Sequence, residues 1–204
     1  MKDDTILSHA GLHPHDNQGI VNPPVYHAST VLFPTLESYR NASNARVRYG
    51  RRGTPTTFAL EEAMTALEGG EGTVLAPSGL AAIAVSLTAC VESGDHVLVT
   101  DSTYAPTRRF CDDVLSRFGV ETDYYDPMIG GDIDKLFKPN TKVVWVESPG
   151  TQTFEIQDIP AIAEAAHANG ALVLMDNTWA GGYFFKALQH GVDISVHAGT
   201  KYIV

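Results

Sequence analysis

The chain has 204 residues, with 14 Lys+Arg against 24 Asp+Glu for a formal net charge of −10, and 44% of its residues are hydrophobic. That length suits one ordinary domain or part of a larger one, and chains of about 150 residues already bury about 70% of their unfolded surface. Disordered, collagen-like and low-complexity classes are excluded, and the acidic balance argues against nucleic-acid binding, which needs a basic face.

Met1-Lys2-Asp3-Asp4-Thr5 is not followed by the apolar run of a secretory signal. No stretch approaches the ~20 apolar residues of a membrane span, so a reducing, cytoplasmic setting without a membrane partner is expected. Residues 1–54 are irregular, with one short helix predicted near Thr35 to Asn44, and read as an arm that reaches across another surface. His9, His13 and His15 have no partner set for a metal and read as solvated or capping residues. Arg46, Arg48, Arg51 and Arg52 form a basic cluster broken by Gly50 and Gly53, either a solvated loop or an anion-binding turn.

From residue 55 to 204 the pattern is regular. Thr54-Pro55 starts a helix and Gly69-Gly70 stops it. Apolar runs predict strands at Thr73 to Ala76, His96 to Thr100, Val120 to Tyr124, Lys142 to Val146, Ala171 to Met175 and Asp193 to His197. Helices are predicted between most of them, at Gly79 to Glu92, Pro106 to Phe118 and Ile159 to Asn169. Such alternation implies an α/β fold, a three-layer α/β/α sandwich around a mainly parallel sheet. Cys90 and Cys111 make neither a disulfide framework nor a metal set, and both are expected to be reduced and buried.

Open sheets of this type bind ligands beyond the carboxyl ends of their strands. Ser78-Gly79 opens a helix after a strand and suits a phosphate, or is a plain N-cap. Asp176 ends a buried run and either caps Asn177 or Thr178 or faces a cationic ligand atom. Lys201 follows the next run through Ala198-Gly199-Thr200, where an amine would be held, and Tyr104 sits in the loop after an earlier strand. Neither GxGxxG nor GxxxxGK[ST] occurs. Amine, carboxylate, phosphate donors and a flat side chain together match the demands of pyridoxal phosphate.

The motifs Val21-Asn22-Pro23-Pro24-Val25, Tyr49-Gly50-Arg51-Arg52-Gly53-Thr54-Pro55-Thr56, Leu67-Glu68-Gly69-Gly70, Ser78-Gly79-Leu80-Ala81, Asp101-Ser102-Thr103-Tyr104, Glu147-Ser148-Pro149-Gly150, Asp176-Asn177-Thr178-Trp179 and Thr200-Lys201-Tyr202 occur in order. On them the chain resembles the Cys/Met-metabolism family of pyridoxal-phosphate enzymes of fold type I, in particular its β-lyase branch. The resemblance implies that Lys201 holds the cofactor as a Schiff base, Asp176 pairs with the ring nitrogen and Tyr104 stacks on the ring. It implies that Gly79, Leu80 and Thr200 hold the phosphate, with Tyr49 and Arg51 contributed by a neighbouring subunit of a homo-oligomer, a dimer of dimers. The implied reaction cleaves cystathionine or a cysteine S-conjugate to a thiol, pyruvate and ammonia. Lys201 or a tyrosine, Tyr104 or Tyr49, would serve as the assisting acid. The family's γ-synthases, γ-lyases and sulfhydrylases are the alternative, and a non-catalytic piece with an assembly role is another.

Three departures from the family pattern stand out. Ala198 replaces a common Ser, Thr151 stands where γ-type enzymes tend to carry Asn, and the family continues well past the position of Val204.

Overall fold

The computed structural model describes residues 2–203. The chain divides into two compact units, Met1–Leu75 and Ala76–Val204. In the first, α1 (Asp3–His9) packs on α3 (Pro55–Glu68), and α2 (Leu36–Arg40) continues into a short 3-10 turn at Ala42–Asn44. Both predicted helices of this region form because their ends are chemically marked. Thr35 with Ser38, and Thr54 with Thr57, make reciprocal caps that satisfy orphan N–H groups. Pro55 occupies a first-turn position where a missing N–H costs nothing, and Gly69 stops the helix at φ +72°.

The predicted parallel sheet lies in the second unit. Its strands are β1 (His96–Thr100), β2 (Glu121–Tyr125), β3 (Thr141–Glu147), β4 (Leu172–Asp176) and β5 (Ile194–Val196), ordered β2-β1-β3-β4-β5 and all parallel. Thr73–Ala76 is not a strand, contrary to the sequence expectation. Val74 is 90% exposed and the segment joins no ladder among the described residues. A four-residue apolar run looks the same whether it pairs or crosses the surface, and without a partner edge it cannot form a strand.

Successive residues of each strand enter opposite faces. Leu98, Val144, Val146, Val173 and Met175 meet Ile159, Ile162, Ala163 and Ala166 of α6 (Ile159–Ala168). Val97, Val99, Val143, Trp145 and Leu174 meet Ile83 and Leu87 of α4 (Gly79–Ala89), with Cys111 and Leu115. Helices therefore cover both faces, giving the three-layer α/β/α architecture, and each fully buried Leu or Met contributes roughly 1.5–3 kcal/mol. The helix predicted at Pro106 to Phe118 is realised in three pieces: α5 (Ala105–Phe110), a π-helical turn at Cys111–Leu115 and a 3-10 turn at Ser116–Phe118. Both cysteines are free. Cys111 is buried and its thiol is pushed up to about 12, mainly by that burial, whereas Cys90 is only half-buried, less than expected.

At the amino end of the sheet His96 is fully buried, its Nδ1 2.8 Å from Thr141 Oγ1. Its Nε2 lies 3.3 Å from Asp123 Oδ2, and Lys138 Nζ is 2.7 Å from both Asp123 and Glu121. Burial, and then the Lys138 ammonium, hold the imidazole pKa below its usual 6.5 against the pull of Asp123 and Glu121. A folded base that binds fewer protons than the unfolded one makes stability rise with pH between its folded and unfolded values. The urea midpoint is therefore expected to be lower at about pH 5.5 than at about pH 7.5. The difference should shrink in His96→Gln, and an equal slope in that variant would assign the effect to other groups.

Candidate functional site

Strand register gathers the carboxyl ends into one row. Glu147 pairs with Asp176, and Asp176 with Val196, while Val99 pairs with Trp145 one strand further. The loops that follow carry Asp101–Tyr104, Ser148–Thr151, Asn177–Thr178 and His197–Lys201. This is the edge where parallel α/β sheets hold ligands.

Asp176 accepts a hydrogen bond from the Thr178 N–H at 3.0 Å, so the capping role considered from sequence is present. Burial pushes its carboxyl above the ordinary carboxylate value, opposed by the Thr178 hydrogen bonds and by nearby His197. Thr178 Oγ1 also accepts the Ala198 N–H at 2.8 Å, and the Asn177 N–H donates to Val196 O at 2.9 Å. The turns after β4 and β5 are thus stitched together. The β5 turn closes with the Lys201 N–H donating to Ala198 O at 3.0 Å, and presents Thr200 and Lys201 as exposed side chains.

Ser78 caps α4 by accepting the Ala81 N–H at 3.1 Å, which leaves the Gly79 and Leu80 N–H groups of the first turn unclaimed by the cap. They carry the partial positive charge of the helix start. Gly79 is required by packing. A Cβ there would stand 2.7 Å from Ala198 Cβ and 3.2 Å from Ala198 Cα, so the helix start and the lysine-bearing turn lie almost in backbone contact.

Glu147 was not given a role by the sequence reading. Only 8% exposed, its Oε2 accepts the Tyr104 N–H at 2.7 Å and the Thr103 hydroxyl at 3.2 Å, and its Oε1 accepts the Thr151 hydroxyl. Its pKa is raised to about 7 by burial and then by the Asp176 carboxylate, against those donors. The available signal was the one used for Asp176, an acid closing a buried apolar run. Tyr104 itself is 44% exposed and precedes α5, with Thr107 and Arg108 N–H groups donating to its carbonyl.

Tyr49 and Arg51 belong to the first unit, whereas the strand-end residues belong to the second. Tyr49 pairs by an antiparallel bridge with Thr30 and accepts a 3.4 Å hydrogen bond from Ser29 Oγ. The four arginines part company. Arg46 ion-pairs with Glu62 over the Phe58 ring, Arg48 Nε donates to Ala45 O at 3.3 Å, and Arg51 and Arg52 are exposed. His13 Nε2, on a half-exposed side chain, is 2.6 Å from Glu62 Oε2, so the expected solvated histidine also has an acidic partner. Among the described residues no group of three or more His, Cys, Asp or Glu could hold a metal, and no helix is long and apolar enough to cross a membrane.

A family profile described as Cys/Met metabolism PLP-dependent enzyme matches residues 4–204. A Rhizobium johnstonii protein with a provisional cystathionine β-lyase name is 57% identical over 97% of this chain and 50% of its own length. Cystathionine β-lyase MetC of Escherichia coli is 47% identical over 98% of this chain and 52% of its own. A cystathionine γ-lyase from Lactobacillus plantarum, crystallised with L-serine, superposes with a TM-score of 0.91 at 33% identity, covering 100% of this chain and 51% of that one. The chain spans about half the length of the relatives it matches.

Proposed function

The chain belongs to the Cys/Met-metabolism family of pyridoxal-phosphate-dependent enzymes, and on that footing we propose that it carries the cofactor-holding part of a carbon–sulfur β-lyase. The substrate is cystathionine or a related cysteine S-conjugate, cleaved with water to a thiol, pyruvate and ammonia. The observation that carries the reading is the Thr178–Ala198 stitch, which ties the Asp176 strand end to the Lys201 turn.

The residues present fit the cofactor. The Gly79 and Leu80 N–H groups and Thr200 would hold its phosphate, Lys201 would bond its carbonyl carbon, Asp176 would face its ring nitrogen and Tyr104 would cover its ring. Burial of Asp176 favours this pairing, because a carboxylate held above its ordinary pKa gains when a cation is placed beside it. When bound, pyridoxal phosphate supplies an electron sink for charge developed at the substrate Cα. The substrate amine would displace Lys201 from the cofactor's carbonyl carbon, and the freed Lys201 amine would take the Cα proton, while an ionised Asp176 would hold a positive charge opposite. Lys201, Tyr104 or Tyr49 then donates a proton to the departing sulfur.

The test is product analysis of the purified, cofactor-loaded enzyme with L-cystathionine. Pyruvate with homocysteine supports the reading. The likeness to the Lactobacillus plantarum γ-lyase favours a second one, for which 2-oxobutyrate with cysteine is the expected product pair. Neither pair, with no yellow colour on reconstitution, would leave only an assembly role.

Residues 55–204 form the cofactor-binding domain in this reading, and residues 1–54 are an inter-subunit arm bringing Tyr49 and Arg51 to a neighbour's phosphate in a cytoplasmic dimer of dimers. An isolated subunit then owns no complete site. Mixing Arg51→Ala with Lys201→Ala should restore activity, because a mixed dimer concentrates both defects in one site. Random pairing returns about a quarter of the parental sites. Mixed dimers without recovery would place Arg51 in its own subunit's site.

A further inference from the structure

The loop after β1 and the loop after β3 meet on one buried carboxylate. Glu147 closes β3, and three donors converge on it: the Tyr104 N–H and Thr103 hydroxyl on Oε2, and the Thr151 hydroxyl on Oε1. The arrangement is continued on both sides. Thr103 Oγ1 accepts the Trp145 indole N–H at 3.2 Å, and the Thr151 N–H donates to Ser102 O at 2.8 Å. Trp145 is fully buried in β3, so Thr103 is anchored from below by a side chain that cannot move. A hydrogen bond from a backbone N–H to a charged acceptor is stronger than one between neutral groups, and a donor left unsatisfied in a buried position is costly. Removing Glu147 would strand three donors at once.

We propose that Glu147 is the positioning residue for Tyr104, clamping the loop after β1 to the end of β3 and so setting where the tyrosine ring stands beside Asp176. The proposal rests on the reading of the strand-end row as the cofactor site. Tyr104 is 44% exposed, and the Glu147 bond to its backbone N–H ties it to the end of β3. The clamp is also sensitive to charge. Asp176 faces Glu147 from β4 and raises its pKa, the Thr103, Tyr104 and Thr151 donors lower it, and His197 from the β5 turn acts on Asp176. Near neutral pH the clamp therefore titrates, and the ionised form accepts all three donors best.

Two measurements decide the matter. In the cofactor-free protein, hydrogen exchange over residues 101–107 should be slow in the parent and faster by at least about tenfold in Glu147→Ala, which is the loss of one such bond. Exchange in β4 should stay unchanged. Glu147→Gln keeps an acceptor for the Tyr104 N–H and should exchange at nearly the parental rate, which keeps the test open should the alanine variant unfold. In the loaded protein, Glu147→Ala should lose at least about half of the visible circular dichroism of the bound cofactor at unchanged cofactor content, since its ring environment is no longer fixed. Unchanged exchange at 101–107 in Glu147→Ala, or faster exchange spread equally into β4, overturns the proposal. Failure of every variant and the parent to take up cofactor would overturn the functional reading instead, and the exchange measurement would still decide the clamp.

Discussion

Lys201→Ala is expected to abolish covalent attachment of the cofactor and to cut turnover by about 10³-fold or more, since one positioned proton-transferring group alone contributes about 10²–10⁴-fold. The motive is its position. Lys201 follows β5, of which Val196 is buried, through a turn that is hydrogen-bonded to the Asp176 strand end, and its side chain is exposed at that edge. The fold should be indifferent to the change, because the exposed amine holds no core contact together. Borohydride reduction followed by peptide mass analysis reads attachment directly. A variant that turns over substrate at near the parental rate would refute the assignment.

Asp176→Asn is expected to lower turnover by about 10²–10³-fold, the scale of losing one preorganised electrostatic partner, while most of the cofactor stays bound. The asymmetry follows from the division of labour. In the proposed site, phosphate contacts and the lysine bond would hold the cofactor, whereas the carboxylate would act on the charge of its ring. The amide preserves shape and can still accept the Thr178 N–H, so the turn after β4 should survive. Deuterium exchange at the substrate Cα isolates the affected step. An unchanged exchange rate would show that Asp176 serves only as the cap of Thr178.

How much of this was legible depended on the physics behind each element. Val143-Val144-Trp145-Val146 reads as a buried parallel strand because both faces of the sheet are covered, and it is one. The same logic failed at Thr73–Ala76, where a run of similar hydrophobicity lies unpaired. Apolarity reports a tendency to avoid water, and the presence of a partner edge is a property of the rest of the chain. The π-helical turn at Cys111–Leu115 has no residue-level signature that separates it from the α5 pattern. In the sequence, Asp176 and Lys201 stand out as candidates because each comes after an apolar run. Glu147 satisfies the same criterion, but only its Thr151 donor is near in sequence; Thr103 and Tyr104 come from the loop after β1, and that convergence exists only after the sheet has formed.

The near contact of Gly79 with Ala198 also constrains the order in which this chain can change. Gly79→Ala alone drives one methyl to within 2.7 Å of another, a separation packed atoms do not tolerate. Ala198→Gly alone removes the obstructing methyl. After it, Gly79→Ala meets only the Cα at 3.2 Å, which a shift of a few tenths of an ångström accommodates. The double exchange is thus reachable by one path and closed by the other. A lineage drifting at the helix start must first have drifted at the lysine turn, so the history of one segment is written in the other.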